Sequence, residues 1–217
     1  RSMAYRVHPY RWSTIGRKLE HISDVPLKVI RDFYDRYYAP DNAVLAVAQL
    51  KKKYPDIRLY IPGSITSKKP HFLYDSVYVR HLRKLIRQYG LQENVIFAGR
   101  LSPEEMAQHM CKANVFVMPS CVENHSSTLR EAMTVGCPSV SAMVGSVPEL
   151  IEPGKNGYLY RYNEYQTLAY YIDKLFSDDA LAQRIGQEGK RAVAERFPQD
   201  QIGSMLMDAY AQMRNKK

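Results

Sequence analysis

The chain has 217 residues, of which 45% are apolar and 24% charged, a composition that suits one large or two small globular domains with a real core. It holds no run of about 18 apolar residues, which excludes a membrane-spanning helix, and no signal peptide is visible. The formal net charge is +9, with 11 Lys+Arg against 5 Asp+Glu in residues 1–54 and 20 against 17 in the remainder. Basic proteins meet nucleic acids, anionic membrane surfaces or phosphate-bearing ligands. No nucleic-acid motif accompanies the charge here, and a solvated basic surface is the simplest reading. The first residue is Arg1 rather than Met, as expected of a chain that continues upstream.

The first 41 residues read as a loop followed by a helix. "HPYRWSTIG" is aromatic and loop-like and holds the single tryptophan. "VPLKVIRDFYDRYY" places Val29, Phe33 and Tyr37 four apart, which predicts a helix, and "APDN" breaks it. Residues 42–54 admit two readings. "NAVLAVA" alone could be a strand. "DNAVLAVAQLKKKYP" reads better as a helix capped by Asp41 or Asn42, with Val44, Val47 and Leu50 at three-residue steps and Pro55 as its stop.

Strands and helices then alternate. Arg58–Ile61 reads as a strand stopped by Pro62 and Gly63. "YVRHLRKLIRQYG" has Val79, Leu82 and Ile86 at helical spacing and ends at Gly90. "NVIFAG" is a short buried strand. "SPEEMAQHMCKA" opens with Ser102 as cap, Pro103 in the first turn and Glu105 closing a capping box. "NVFVMPS" and "PSVSAM" read as strands on either side of "SCVENHSSTLREAMTVG". "SVPEL" repeats the capping logic with Ser146 and Glu149. "EYQTLAYYIDKLF" puts Leu168, Ile172, Leu175 and Phe176 on one face, and "DALAQRIGQEGKRAVAERF" and "IGSMLMDAYAQM" are further helices. Apolar strands between helices of ten or more residues predict a Rossmann-like α/β fold, a parallel sheet flanked by helices. The N-terminal extension is helical and irregular. In such a fold ligands bind beyond the carboxyl ends of the strands, and the loop after "NVFVMPS" is one of those ends.

The cysteines are Cys111, Cys121 and Cys137, an odd count with no C-x-x-C spacing. A disulfide framework and a zinc knuckle are both disfavoured, and a reducing, cytoplasmic setting fits.

Residues 120–136 carry the chemistry. A helix starting near Ser127–Leu129 offers free backbone N–H groups and a positive dipole end to an anion. Small residues there let a diphosphate approach. Glu131, in the first turn, can accept from two ribose hydroxyls. Glu123, before the helix, can reach a sugar beyond the diphosphate. A ribose, a diphosphate and a sugar in that order make a nucleotide-sugar. An ordinary reading also fits: Thr128 to Glu131 forms a capping box by itself, Glu123 is a solvated loop residue, and Gly136 and Pro138 end the helix.

"VIFAGRLSPEEM…CKANVFVMPSCVEN…LREAMTVGCPSVSAMVGSVPELIEPGKNGYLY" resembles the C-terminal domain of retaining glycosyltransferases built from two facing Rossmann-like domains. The likeness runs over residues 42–217 and includes an E-x(7)-E motif at Glu123 and Glu131. The resemblance implies that Glu131 binds the ribose and that Glu123 is the catalytic contact to the transferred sugar. It implies that the backbone of Ser127, Thr128 and Leu129 holds the diphosphate, that His125 and Ser126 face the sugar, and that Arg100 and Leu101 border the base. It further implies a UDP- or GDP-type donor as substrate with no cofactor and no metal. The acceptor would be a glycan or lipid-linked molecule held by another domain, as in polysaccharide biosynthesis, in the cytoplasm or against the inner face of the membrane. Two family features are missing from the sequence: a first strand, and an Arg/Lys loop that grips the diphosphate. That leaves a sheet edge open to self-association, and an isolated fragment expected to be inactive. Arg130, where relatives carry a small residue, reads as a solvated helix residue; its other reading is a substitute for the missing charge.

Residues 1–48, "HPYRWSTIG…HISDVPLKVIRDFYDRYYAPDNAVLAVA", resemble a segment of insulinase-like zinc peptidases. The inverted zinc motif is absent, and neither His8 nor His21 has a suitably spaced partner, so no metal site and no peptidase activity are expected. The expected division is residues 1–41 and 42–217, joined at "NAVLAVAQL". The alternative functions are a non-catalytic interaction module and a peptidase fragment.

Overall fold

The computed structural model describes residues 26, 41–63, 77–198, 204 and 207. By its contacts the chain divides into Arg1–Tyr37 and Tyr38–Lys217. The helix expected around Val29–Tyr37 lies outside the described residues, as does most of the one expected over "IGSMLMDAYAQM".

The described elements run α1 (Asp41–Leu50), β1 (Leu59–Pro62), α2 (Val77–Gln88), β2 (Val95–Gly99), α3 (Pro103–Lys112), β3 (Phe116–Met118), α4 (Ser127–Thr134), β4 (Ser139–Ala142), α5 (Val147–Leu150), β5 (Tyr158–Tyr160), α6 (Tyr165–Phe176) and α7 (Asp179–Arg196). The helical reading of the 42–54 stretch holds: Val44, Val47 and Leu50 are all buried. Asp41 accepts from the Asn42 N–H at 3.1 Å. The Tyr54 N–H still reaches the Leu50 carbonyl at 2.9 Å, so the last turn runs close to Pro55.

All strand pairing is parallel. β1 pairs with β2, and β3, β4 and β5 form a second sheet in that order. Among the described residues no strand precedes α1. One apolar cluster nevertheless spans both sheets, with Ile57, Phe97, Val140 and Tyr158 buried together and Leu59, Ile61 and Val117 against them. Helix α1 packs on α2 and α6, whereas α4 packs on α3 and α7. β4 is covered by α6 as well as by α4 and α7, and its four residues are all buried. The hydroxyls of Ser139 and Ser141 are satisfied locally by the Cys137 and Ala142 carbonyls at 3.0 and 3.1 Å, which lets polar residues occupy a buried strand.

Two capping expectations meet different fates. At α3, Ser102 accepts from the Glu105 N–H and Glu105 accepts from the Ser102 N–H, completing the box. At α5, the Ser146 side chain makes no cap bond: its hydroxyl donates instead to the Asn124 carbonyl at 2.7 Å. β5 carries no sequence pattern of its own. Three residues are too short for an alternating pattern to register, and only pairing with β4 extends "YLY".

Candidate functional site

The chain leaves the carboxyl end of β3, forms the loop 119–126 and enters α4. Ser126 is the N-cap, extended at φ −72° and ψ 106°, and its hydroxyl accepts from the Leu129 N–H at 3.2 Å. The Thr128–Glu131 box is therefore not the cap; Thr128 already lies inside the helix. Ser126 is buried, and its hydroxyl oxygen accepts from its own helix. The Leu129 N–H is occupied, and the Arg130 N–H reaches the Ser126 carbonyl at 3.4 Å. Among the described residues nothing accepts from the N–H groups of Ser127 and Thr128. Of the three expected donors, Ser127 and Thr128 are thus open and Leu129 is taken by the cap. At the other end, Gly136 at φ +82° closes α4, with Gly136 and Cys137 N–H groups returning to the Met133 and Ala132 carbonyls, a Schellman arrangement.

The loop holding Glu123 rests on a second loop. A Cβ built on Gly145, at φ +54°, would lie 1.9 Å from the Glu123 carbonyl oxygen, so only glycine permits this approach. The Asn124 carbonyl accepts from the Ser146 N–H at 3.1 Å and from the Ser146 hydroxyl at 2.7 Å. With that hydroxyl proton committed, the 2.9 Å contact between His125 Nδ1 and Ser146 Oγ is made by an Nδ1–H donor. His125 Nε2 is left for other partners. The ring of His125 stands edge-on to Phe197 at 5.9 Å.

Beside α4 lies a groove of roughly 1020 Å³ between α3, α4 and α7. Leu101, Ser127 and Glu131 share it with Arg130, Lys190 and Phe197. Glu131 is exposed, and among the described residues it carries no ion pair. Arg130 is not solvated as the plainer reading expected. Its Nε is buried without a hydrogen-bond partner, and its guanidinium carbon lies 4.9 Å from the Phe197 ring centre. Cys121, in the Glu123 loop, has its thiol pushed up by burial. Among the described residues no three His, Cys, Asp or Glu side chains cluster as a metal site.

The family model for glycosyl transferases group 1 matches residues 31–192. The chain belongs to this family. It is 29% identical over 179 residues to the D-inositol 3-phosphate glycosyltransferase of Streptomyces avermitilis, covering 79% of this chain and 36% of that protein. It is 33% identical over 134 residues to the putative colanic acid biosynthesis glycosyltransferase WcaL of Salmonella typhimurium, covering 58% of this chain and 33% of that protein. The chain thus spans about a third of the length of these curated relatives. Among solved structures, sucrose-phosphate synthase from Thermosynechococcus elongatus superposes with a TM-score of 0.72 at 27% identity, over 85% of this chain and 44% of that one. The C-terminal domain of a group 1 glycosyl transferase from Francisella tularensis gives 0.64 at 26% identity, over 75% and 80%. Anabaena HepE in complex with UDP-glucose gives 0.67 at 25% identity, over 80% and 46%.

In this member of the group 1 family the fold gathers Leu101, Ser127 and Glu131 at one groove. Glu123 and His125 sit on the loop buttressed by Gly145 and Ser146. Arg100, Glu123, His125 and Thr128 do not line the groove. Residues that the sequence did not single out also shape the site. Gly145 determines where Glu123 can be. Arg196 ties α7 to α5 through the Glu149 carbonyl and, at 3.0 Å, its carboxylate. Phe197 stands between His125 and Arg130. The Gly145 signal lay in the "GSVPEL" run; Lys190 and Phe197 carried none, because nothing local ties α7 to α4.

Proposed function

We propose that this chain is the donor-binding half of a retaining glycosyltransferase, passing a sugar from a nucleoside-diphosphate donor to a glycan or lipid-linked acceptor held by another domain. The observation that carries the reading is the start of α4. Two backbone N–H groups, of Ser127 and Thr128, are open there, and Glu131 lies one turn further in at the groove. The diphosphate lies across those N–H groups, where the helix dipole favours negative charge. Glu131 accepts from the two ribose hydroxyls. The base extends toward Leu101 and Arg100. The sugar lies on the other side of the diphosphate, toward Glu123 and His125, with Ser126 and Leu129 fixing the helix start through their shared hydrogen bond.

The chemistry asks little else of this half. As the donor bond breaks, negative charge grows on the diphosphate, and fixed donors stabilise it without reorganising. Glu123 is the carboxylate for the sugar and the reacting carbon. The reading needs neither metal nor cofactor. Transfer requires the acceptor held in register, so the 217 residues are proposed to bind donor without completing the reaction. Support comes from family membership and from the likeness to a protein solved with UDP-glucose.

Isothermal titration with UDP, GDP and ADP tests the reading, repeated with Glu131→Ala. One of the three should bind, and the substitution should weaken it at least about tenfold, the loss of two hydrogen bonds to a charged acceptor. Absence of binding by all three sinks the assignment; binding indifferent to Glu131→Ala moves the ribose elsewhere.

A further inference from the structure

We propose that Arg130, braced by Phe197, and Lys190 form a cationic wall that holds the phosphates of the ligand from the α7 side of the groove. The proposal rests on the donor-site reading above and adds two residues to it. Arg130 sits one turn into α4. Helical side chains lean toward the N-terminus, so its guanidinium reaches back toward the open N–H groups of Ser127 and Thr128. The Phe197 ring confirms that direction: it meets Arg130 Cζ at 4.9 Å, and His125, one residue before the N-cap, at 5.9 Å between ring centres. The cation and the helix start are therefore gathered around one aromatic ring.

Arg130 is also electrostatically incomplete. Its Nε is buried and finds no acceptor. Among the described residues no carboxylate pairs with Arg130 or Lys190, although both line the same groove as Glu131. A guanidinium on an aromatic face keeps its in-plane N–H donors pointing outward. Such a fork matches phosphate oxygens, which Lys190 supports as a point charge. Neighbouring arginines are used differently: Arg196 is spent on Glu149, and Arg191 on Glu188 and Glu195. The donor set is thus two cations without a carboxylate partner and the Ser127 N–H at the groove, with the Thr128 N–H beside it, which fits a diphosphate rather than a neutral sugar. Glu131 then takes the ribose alone.

Inorganic pyrophosphate separates this role from nucleoside recognition. Calorimetric titration of the full chain at low ionic strength should show pyrophosphate binding. Arg130→Gln should weaken it about tenfold, the effect of losing a charge-assisted contact. Arg130→Lys should recover part of that loss, and exposed Lys190→Gln should weaken binding a few-fold without unfolding risk. Glu131→Ala, which removes a negative charge from the same groove, should not weaken pyrophosphate while it weakens the nucleotide. Pyrophosphate affinity within about twofold of the parent in Arg130→Gln and Lys190→Gln, or no pyrophosphate binding by the parent, overturns the proposal. If Arg130→Gln does not fold, Arg130→Lys and Lys190→Gln decide it. Nucleotide binding that survives these changes leaves the donor-site reading standing, whereas loss with Glu131→Ala alone supports that reading and not this one.

Discussion

Replacing Gly145 by alanine should displace the loop that carries Glu123. The added Cβ would lie 1.9 Å from the Glu123 carbonyl oxygen, 2.8 Å from its carbon and 2.9 Å from the Asn124 oxygen. Carbon and carbonyl oxygen need a little over 3 Å, so one loop must move by about 1 Å or more. The backbone at φ +54° adds the left-handed penalty, about 1–2 kcal/mol for alanine. Movement also strains the two bonds that the Asn124 carbonyl receives from Ser146, each worth about 1 kcal/mol. The expected loss is about 3 kcal/mol, or a melting-temperature drop of about 6–12 °C for a chain of this size. Gly90→Ala supplies the control. Gly90 also has positive φ, at +64°, but nothing lies within 4 Å of its added Cβ, so only the conformational term, about 1 kcal/mol, should appear. Differential scanning calorimetry on both variants, with nucleotide titration on Gly145→Ala, is the assay. A Gly145→Ala protein no less stable than Gly90→Ala, and binding nucleotide as the parent does, would refute the buttress.

Three further outcomes follow from the packing. Asn94 is buried and its Nδ2 donates to the Pro55 and Ile57 carbonyls at 3.1 and 2.8 Å; Asn94→Ala should cost about 2–3 kcal/mol in urea unfolding, because both carbonyls lose their donor. The Asp173 carboxyl is held below its usual range by hydrogen bonds from Lys53 and Tyr54. A depressed folded value stabilises above the unfolded value, about 3.9, and is lost as pH falls through the folded one. The melting-temperature gap between the parent and Asp173→Asn should therefore be present at pH 6 and close as the pH falls below about 3.9. Alkylation followed by mass spectrometry should label exposed Cys111 first and Cys121 slowly. Cys137, with its thiol pushed up to about 12 by burial, should react only after unfolding.

The alternation of short apolar strands and capped helices made the α/β architecture legible, because a buried strand and an amphipathic helix each write their period locally. Val44, Val47 and Leu50 identified α1 in this way, and Ser102 with Glu105 identified the start of α3. The stretch around α4 could likewise be marked from its small residues and its two glutamates. What escaped is whatever depends on a partner distant in sequence. Ser126 rather than Thr128 caps α4 because the strand exit leaves Ser126 extended. Ser146 abandons its own helix because the Asn124 carbonyl is within reach. Arg130 looked solvated because a helix surface position is solvated unless something covers it, and the cover is Phe197, sixty-seven residues away. Local patterns thus established the elements and marked 120–136 as a candidate site, because conformational preferences and caps act over a few residues. Only packing between α4, α5 and α7 decided which N–H groups stay open, where Glu123 rests and which cation faces the groove, since those outcomes arise from contacts that no short window of sequence contains.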